Sequence, residues 1–174
     1  MIVVAVVGSK KSGKTKTVEA LVRGLTKRGC RVATAKHVSE QEFTVDTEGK
    51  DTWLHAQAGA KTIVVVAPRE LTTIRKIDTR NLALQEIVQA CENGIDVVVL
   101  EGFRSLVERE PAVLKIVAVK DMQEATDASK QFDPIIAFTG PIASSTKLGT
   151  PIVDALAEPR KIAAIVEKHL NNFK

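Results

Sequence analysis

The sequence predicts an α/β fold of three layers, a mostly parallel β-sheet flanked by helices. Three observations carry this. Strand-like and helix-like segments alternate along the chain, the order that builds parallel sheets. Several strand-like segments, Ile2 to Val7 and Ile95 to Leu100 among them, are unbroken apolar runs, as expected of strands buried on both faces. The first of these passes through a glycine-rich turn directly into a helical pattern.

Ile2 to Val7 is the first strand, and Val18, Leu21, Val22 and Leu25 then recur at helical spacing until Gly29 offers a stop. Arg31 to Ala35 is a second short strand, followed by a polar loop from His37 to Glu48. Asp51 or Thr52 is expected to cap a helix running to Gly59. Lys61 to Ala67 reads as a third buried strand, stopped by Pro68. Leu71 to Ile77 alternates weakly, as an edge strand or ribbon does. Leu82 to Cys91 reads as a helix, Asn93-Gly94 as a turn, and Ile95 to Leu100 as a fourth buried strand. Leu114 to Val119 and Ile135 to Phe138 are two more, with a helix from Met122 to Lys130 between them. Pro159 opens the last helix, with Ile162, Ala163, Ile165, Val166 and Leu170 on one stripe. Nothing along the chain resembles a linker or repeat, so residues 1–174 are expected to form one domain.

At 174 residues the chain is long enough to bury a core without covalent staples. Two cysteines, Cys30 and Cys91, are too few for a disulfide framework and are not spaced as a zinc clip, which favours a reducing, cytoplasmic setting. Six aromatic residues leave little for stacking on single-stranded nucleic acid, and no apolar run approaches a membrane span, so neither partner is expected. Charge is unevenly placed. Residues 1–36 hold nine basic side chains and a single acid, Glu19, whereas the remainder holds 16 basic and 20 acidic. That asymmetry points to a local anion site near the N-terminus. Arg23, Lys27 and Arg28 read as a solvated helix face, which leaves the cluster from Lys10 to Lys14 to be explained.

Gly8-Ser9-Lys10-Lys11-Ser12-Gly13-Lys14-Thr15 explains it, because it fits G-x-x-x-x-G-K-[ST] between a buried strand and a helix. The glycines let backbone N–H groups turn inward around a phosphate, and the helix start adds partial positive charge. Lys14 is expected on the β- and γ-phosphates and the Thr15 hydroxyl on Mg²⁺. The fold is therefore expected to be P-loop NTPase-like. Glu101, at the C-terminal end of the strand starting at Asp96, lies where open α/β sheets bind ligands; it is placed either to hold Mg²⁺ through water or to orient an attacking water. Asp46-Thr47-Glu48-Gly49-Lys50-Asp51 forms an acidic loop of the kind that touches metal and γ-phosphate, with Asp46 the candidate metal ligand. Lys36-His37 follows the second strand, and His55 lies one turn after Asp51. Gly8, Lys36, Pro68 and Glu101 all follow strand ends, which suggests convergence on one edge. Thr146-Lys147-Leu148-Gly149 lacks the Asp of a guanine-reading [NT]-K-x-D turn, so the residues alone do not name the base.

The P-loop, Lys36-His37, Asp46 with Gly49-Lys50-Asp51 and Trp53, Ala58-Gly59-Ala60, Asp96 through Glu101-Gly102-Phe103, and Lys115-Ile116 resemble, in order and spacing, the molybdopterin-guanine dinucleotide biosynthesis protein B family (MobB) across residues 2 to about 119. The resemblance implies a GTP-binding homodimer with slow GTPase activity and Mg²⁺. It also implies assistance to the molybdenum cofactor guanylyltransferase that attaches GMP to molybdopterin, with molybdopterin or its guanine dinucleotide as further ligand. The chain departs from the family pattern at Lys10-Lys11, where relatives are rich in Gly and Ser, at Lys16, which replaces a second Thr, and at Arg104, where Lys is frequent; the family's second His after His37 is absent. Two other readings remain beside this one. A small-molecule kinase would use Arg104 and Arg109 in a lid, but no long Arg-rich lid is present. A metal-delivery GTPase would need more than three histidines and a Cys/His cluster.

Overall fold

The computed structural model describes residues 1–91, 94–142 and 149–171. Five parallel strands form the main sheet: β1 (Ile2–Gly8), β2 (Val32–Lys36), β5 (Val97–Glu101), β6 (Val113–Ala118) and β7 (Ile135–Thr139), in the spatial order β2-β5-β1-β6-β7. β1 is central, with Val3 opposite both Val98 and Val113. The helices are α1 (Lys14–Thr26), α2 (Asp51–Gln57), α3 (Leu84–Gln89), α4 (Arg104–Val107), α5 (Met122–Gln131) and α6 (Pro159–Asn171). This is the expected α/β architecture, and the apolar runs account for it. Val4, Val6, Val97, Val99 and Ile116 share a core with Leu21 and Leu25 of α1 and Ile162 and Val166 of α6. The alternate positions Ala5, Val7, Val98, Leu100 and Val117 are also buried, so the central strands are covered on both sides.

By its contacts the chain divides into two compact units. One comprises residues 1–37 with the described residues from 83 onward, and the other is residues 38–82. In the second, β3 (Thr62–Ala67) pairs antiparallel with β4 (Glu70–Arg75) in a sheet of its own, and α2 packs on β3. The expected third buried strand is thereby corrected. Ile63 is covered, but Val64 and Val66 point to the other face of the ribbon and are 56% and 79% exposed. An apolar run of six residues looks the same in a central strand and in a two-stranded ribbon, where only one face finds cover. Pro68 accordingly turns a hairpin and does not follow a strand of the main sheet.

Smaller differences have local causes. Asp51 and Thr52 do not cap α2: Lys50 holds the cap position, Asp51 is the first helical residue, and the Thr52 hydroxyl donates to Asp46. α3 is shorter than its sequence pattern, starting where the Glu86 carboxylate accepts from the Ala83 N–H. Arg28 is only partly solvated, its side chain 25% exposed. Its guanidinium donates to Glu167 and to the carbonyls of Gly24 and Arg160, tying α1 to α6. Asn93 of the expected turn, and Thr146 to Leu148, lie outside the described residues.

Candidate functional site

The site in the first unit begins where β1 runs out of room for side chains. Gly8 still pairs with Ala118 of β6, and a Cβ on it would sit 2.1 Å from the Ala118 carbonyl oxygen and 2.7 Å from Ser12 Oγ. Only glycine lets the chain turn there. Lys11 takes a left-handed conformation (φ 62°), and Gly13 (φ 91°) opens α1. No side chain caps this helix and its first turn holds no acid, so the positive end of α1 meets no anion supplied by itself. Ser12 Oγ is buried without a hydrogen-bond partner among the described residues. An uncapped helix start, an orphaned hydroxyl and a glycine-bounded turn are what a phosphate group would satisfy.

Lys14, on the first turn of α1, donates to the carbonyls of Gly8 (3.1 Å) and Ser9 (2.7 Å), and so bridges back across the loop. Burial pulls its ammonium below the usual lysine range; Glu101 opposes this most strongly, Lys120 and Lys36 reinforce it, and Glu124 opposes it weakly. The next residue, Thr15, donates its hydroxyl to Glu101 Oε1 at 2.6 Å, and Lys36 Nζ lies 3.3 Å from the same oxygen. Two strands deliver this cluster. β5 carries Glu101 beside β1, and β2, paired with β5, places Lys36 opposite Glu101 in register. Gly8, Lys36 and Glu101 therefore meet at the C-terminal ends of neighbouring strands, as the sequence suggests, while Pro68 follows a strand of the separate ribbon.

A hydroxyl and a carboxylate side by side suit a hard divalent cation that takes its remaining oxygens from phosphate and water. Among the described residues no group of three or more His, Cys, Asp and Glu side chains could hold a metal unaided. Thr15 and Glu101 therefore fit Mg²⁺ only together with a phosphate.

Lys10 and Lys11 are exposed on the loop, and Lys16 is turned into a surface pair with Glu19 (3.2 Å). His37 donates its backbone N–H to the Glu101 carbonyl, and its ring stands 5.5 Å from that of Phe103. In the second unit Asp46 Oδ1 accepts from the Thr47 N–H (2.9 Å) and the Thr52 hydroxyl (2.7 Å). Its Oδ2 is buried with no partner among the described residues, so this acid retains an unspent acceptor. Gly49 (φ 80°), Lys50 and Asp51 lead from it into α2. Arg104 is bonded to Gln131 and stacked 5.2 Å from the Phe132 ring centre, and Arg109 donates to the Lys130 carbonyl, so both are spent at α5 and its end.

Sequence reasoning missed Glu124 and Lys120. Glu124, on α5, accepts from the Ser9 hydroxyl (2.9 Å) and from the Lys120 backbone N–H (2.9 Å) just past β6. The signal that could have found them is the strand order: β6 lies beside β1, so whatever follows β6 borders the P-loop.

A loop that starts on a glycine without room for a Cβ and ends on an uncapped helix, with a carboxylate from the adjacent parallel strand against its last hydroxyl, puts this fold in the P-loop-like α/β class. Within that class, residues 3–140 match the family described as molybdopterin guanine dinucleotide synthesis protein B, and the chain belongs to this MobB family. Membership places it in molybdenum cofactor biosynthesis.

The chain is 35% identical over 122 residues to a proposed molybdopterin-guanine dinucleotide biosynthesis adapter protein of Methanocaldococcus jannaschii, a match covering 70% of this chain and 48% of that protein. It thus spans about half the length of that relative. It is 27% identical over 169 residues to the molybdopterin-guanine dinucleotide biosynthesis adapter protein of Haemophilus influenzae, covering 97% and 89%. A crystal structure of molybdopterin-guanine biosynthesis protein B (mobB) is similar with a TM-score of 0.73 at 23% identity, over 98% of this chain and 99% of that one; the likeness is one of fold.

Proposed function

We propose that this protein is a GTP-binding accessory protein that assists the conversion of molybdopterin to its guanine dinucleotide form, acting with a guanylyltransferase and hydrolysing GTP slowly at most. The observation that carries the reading is the Thr15 to Glu101 contact beside Lys14. It gathers a phosphate-charge partner, a metal-binding hydroxyl and a carboxylate at one end of the central strand. In this reading the loop N–H groups from Ser9 to Lys14 and the Lys14 ammonium hold the β- and γ-phosphates, and Thr15 and Glu101 hold Mg²⁺. When bound, the ion supplies charge against the phosphate oxygens. Glu101 orients water, Lys36 keeps Glu101 in place, and Ser12 gains an acceptor for its buried hydroxyl. Lys10, Lys11, Lys16 and His37, with Asp46, Gly49, Lys50 and Asp51, are proposed as further contacts.

Arg104 and Arg109 are engaged at α5, which supports slow turnover and weakens the kinase alternative. Residues 1–174 are read as one nucleotide-binding domain carrying 38–82 as an insertion. The exposed apolar face of the ribbon, Val64, Val66 and Leu71, supports a homodimer. A cytoplasmic location agrees with the pathway, and no described helix is long and apolar enough to cross a membrane.

Reconstitution tests the proposal: guanylyltransferase, molybdopterin, GTP and Mg²⁺ are mixed with and without this protein. Faster or higher formation of the guanine dinucleotide cofactor is expected in its presence. Equal yield and rate in both mixtures across a range of GTP concentrations, with no complex seen by light scattering, would overturn the accessory reading.

A further inference from the structure

The surface of the first unit between α1 and the start of α6 carries a groove that the phosphate site does not use. Ala20, Gly24 and Pro159 form its floor, and it continues past Leu156, a residue 64% exposed. Its two adjoining parts enclose about 370 and 220 Å³. The walls are built in place. Arg28 directs its guanidinium to Glu167 (3.1 Å) and to the carbonyls of Gly24 and Arg160 (2.9 Å each), and α1 approaches α6 so closely that a Cβ on Gly24 would lie 2.6 Å from Ala163 Cβ.

The rim carries an excess of one charge. Lys16, Arg23, Lys27, Arg28 and Arg160 line it. Glu19 is shared between Lys16 (3.2 Å) and Arg23 (2.6 Å), and Glu167 serves Arg28. Glu158 is taken up by Lys161. Among the described residues Lys27 and Arg160 have no carboxylate at ion-pair distance. An apolar floor between uncompensated cations asks for a partner that is apolar in the middle and acidic at its edges.

We propose that this groove docks an acidic amphipathic segment of a partner protein, a helix that sets a narrow apolar ridge over Ala20, Gly24, Pro159 and Leu156 and carboxylates against Lys27 and Arg160. A nucleic acid or polyphosphate is a poorer fit, because the floor offers neither an aromatic ring to stack on nor side-chain donors, and it would stay wet under a polyanion. A second copy of this chain would bring a net charge of +4 to an already basic rim. The proposal does not depend on nucleotide binding.

The test uses the full chain and a fluorescein-labelled synthetic peptide of about fifteen residues, long enough for a helical stripe, with Leu at i, i+3, i+4 and i+7 and Glu on the flanks. The double variant Lys27→Glu/Arg160→Glu and, separately, Leu156→Ser are each expected to weaken anisotropy-detected binding about fivefold or more, and raised salt to weaken wild-type binding. Amide shifts on peptide addition are expected along α1 and the first turn of α6. Circular dichroism and thermal unfolding of both variants are expected to match wild type, which reports that they fold. Equal binding by a scrambled peptide of the same composition, or by the double variant, would overturn the proposal. So would shifts of the same amides by inorganic polyphosphate or a short RNA but not by the peptide, which would mark a general polyanion surface. Self-association abolished by the double variant without any peptide binding would assign the groove to a second copy, and would overturn it equally.

Discussion

Thr15 and Glu101 are separated by 86 positions in sequence, yet the threonine hydroxyl donates to the glutamate carboxylate at 2.6 Å, closing the first turn of α1 onto the end of β5. Glu101→Gln keeps the shape of that contact and removes the charge. Nucleotide affinity is expected to stay within about tenfold of wild type while Mg²⁺-dependent hydrolysis falls by about one to two orders of magnitude, the usual scale for losing one positioning or acid/base group. Steady-state phosphate release checks this, and intact hydrolysis would reduce Glu101 to a strand-end acid.

Lys14→Ala removes the ammonium that bridges the loop. The fold rests on β1 and α1, whose core residues Val4, Val6, Leu21 and Leu25 are untouched, so circular dichroism should be unchanged. Triphosphate affinity is expected to drop about a hundredfold, on the order of 3 kcal/mol for a charged donor on phosphate. Calorimetry on the folded variant measures it.

Lys115 is fully buried in β6 and donates to the carbonyls of Glu110 (2.6 Å) and Asp133 (2.5 Å). Lys115→Met strands both carbonyls and is expected to cost about 2 kcal/mol in urea denaturation. Burial also lowers the Lys115 ammonium below its ordinary 10.5, against the pull of the Asp133 and Glu110 charges. Between the lowered folded value and 10.5 the unfolded chain binds the more protons, so this group makes stability rise with pH in that window. The rise should be present in wild type and missing from the methionine variant.

How much of this was legible beforehand depended on how local the signal was. Gly8 to Thr15 and Glu101 are readable because strand, turn and helix start follow one another within a few residues. Val64 to Val66 misled because apolar character does not say how many faces of a strand are covered, and that depends on whether it joins the main sheet. Glu124 was invisible for a related reason: its contact with Ser9 spans 115 positions and follows from β6 lying beside β1. Arg28 read as solvated because Glu167 and the Arg160 carbonyl, its partners, come from the other end of the chain.

Gly24→Ala opposes two effects of similar size. Alanine is favoured over glycine in a helix by about 1 kcal/mol, but its Cβ would meet Ala163 Cβ at 2.6 Å and the Pro159 carbonyl oxygen at 3.2 Å. Overpacking of this kind costs about 1–3 kcal/mol. A net loss near 1 kcal/mol, or about 2–4 °C in Tm for a chain of this size, is expected in thermal unfolding. A stabilised variant would show that α1 and α6 slide apart freely.

The strand order sets a timetable for the chain as it is made. Among the described residues β1 pairs only with β5 and β6, and β2 only with β5, so neither of the first two strands has a neighbour there until synthesis passes Val97. The ribbon of β3 and β4 needs only itself and closes while they wait. The nascent protein therefore carries the bare apolar run Ile2 to Val7 until β5 has been made, an interval in which an unpaired strand is open to aggregation. The phosphate loop, made before β5 and β6, takes shape only after Ala118 has arrived to flank Gly8.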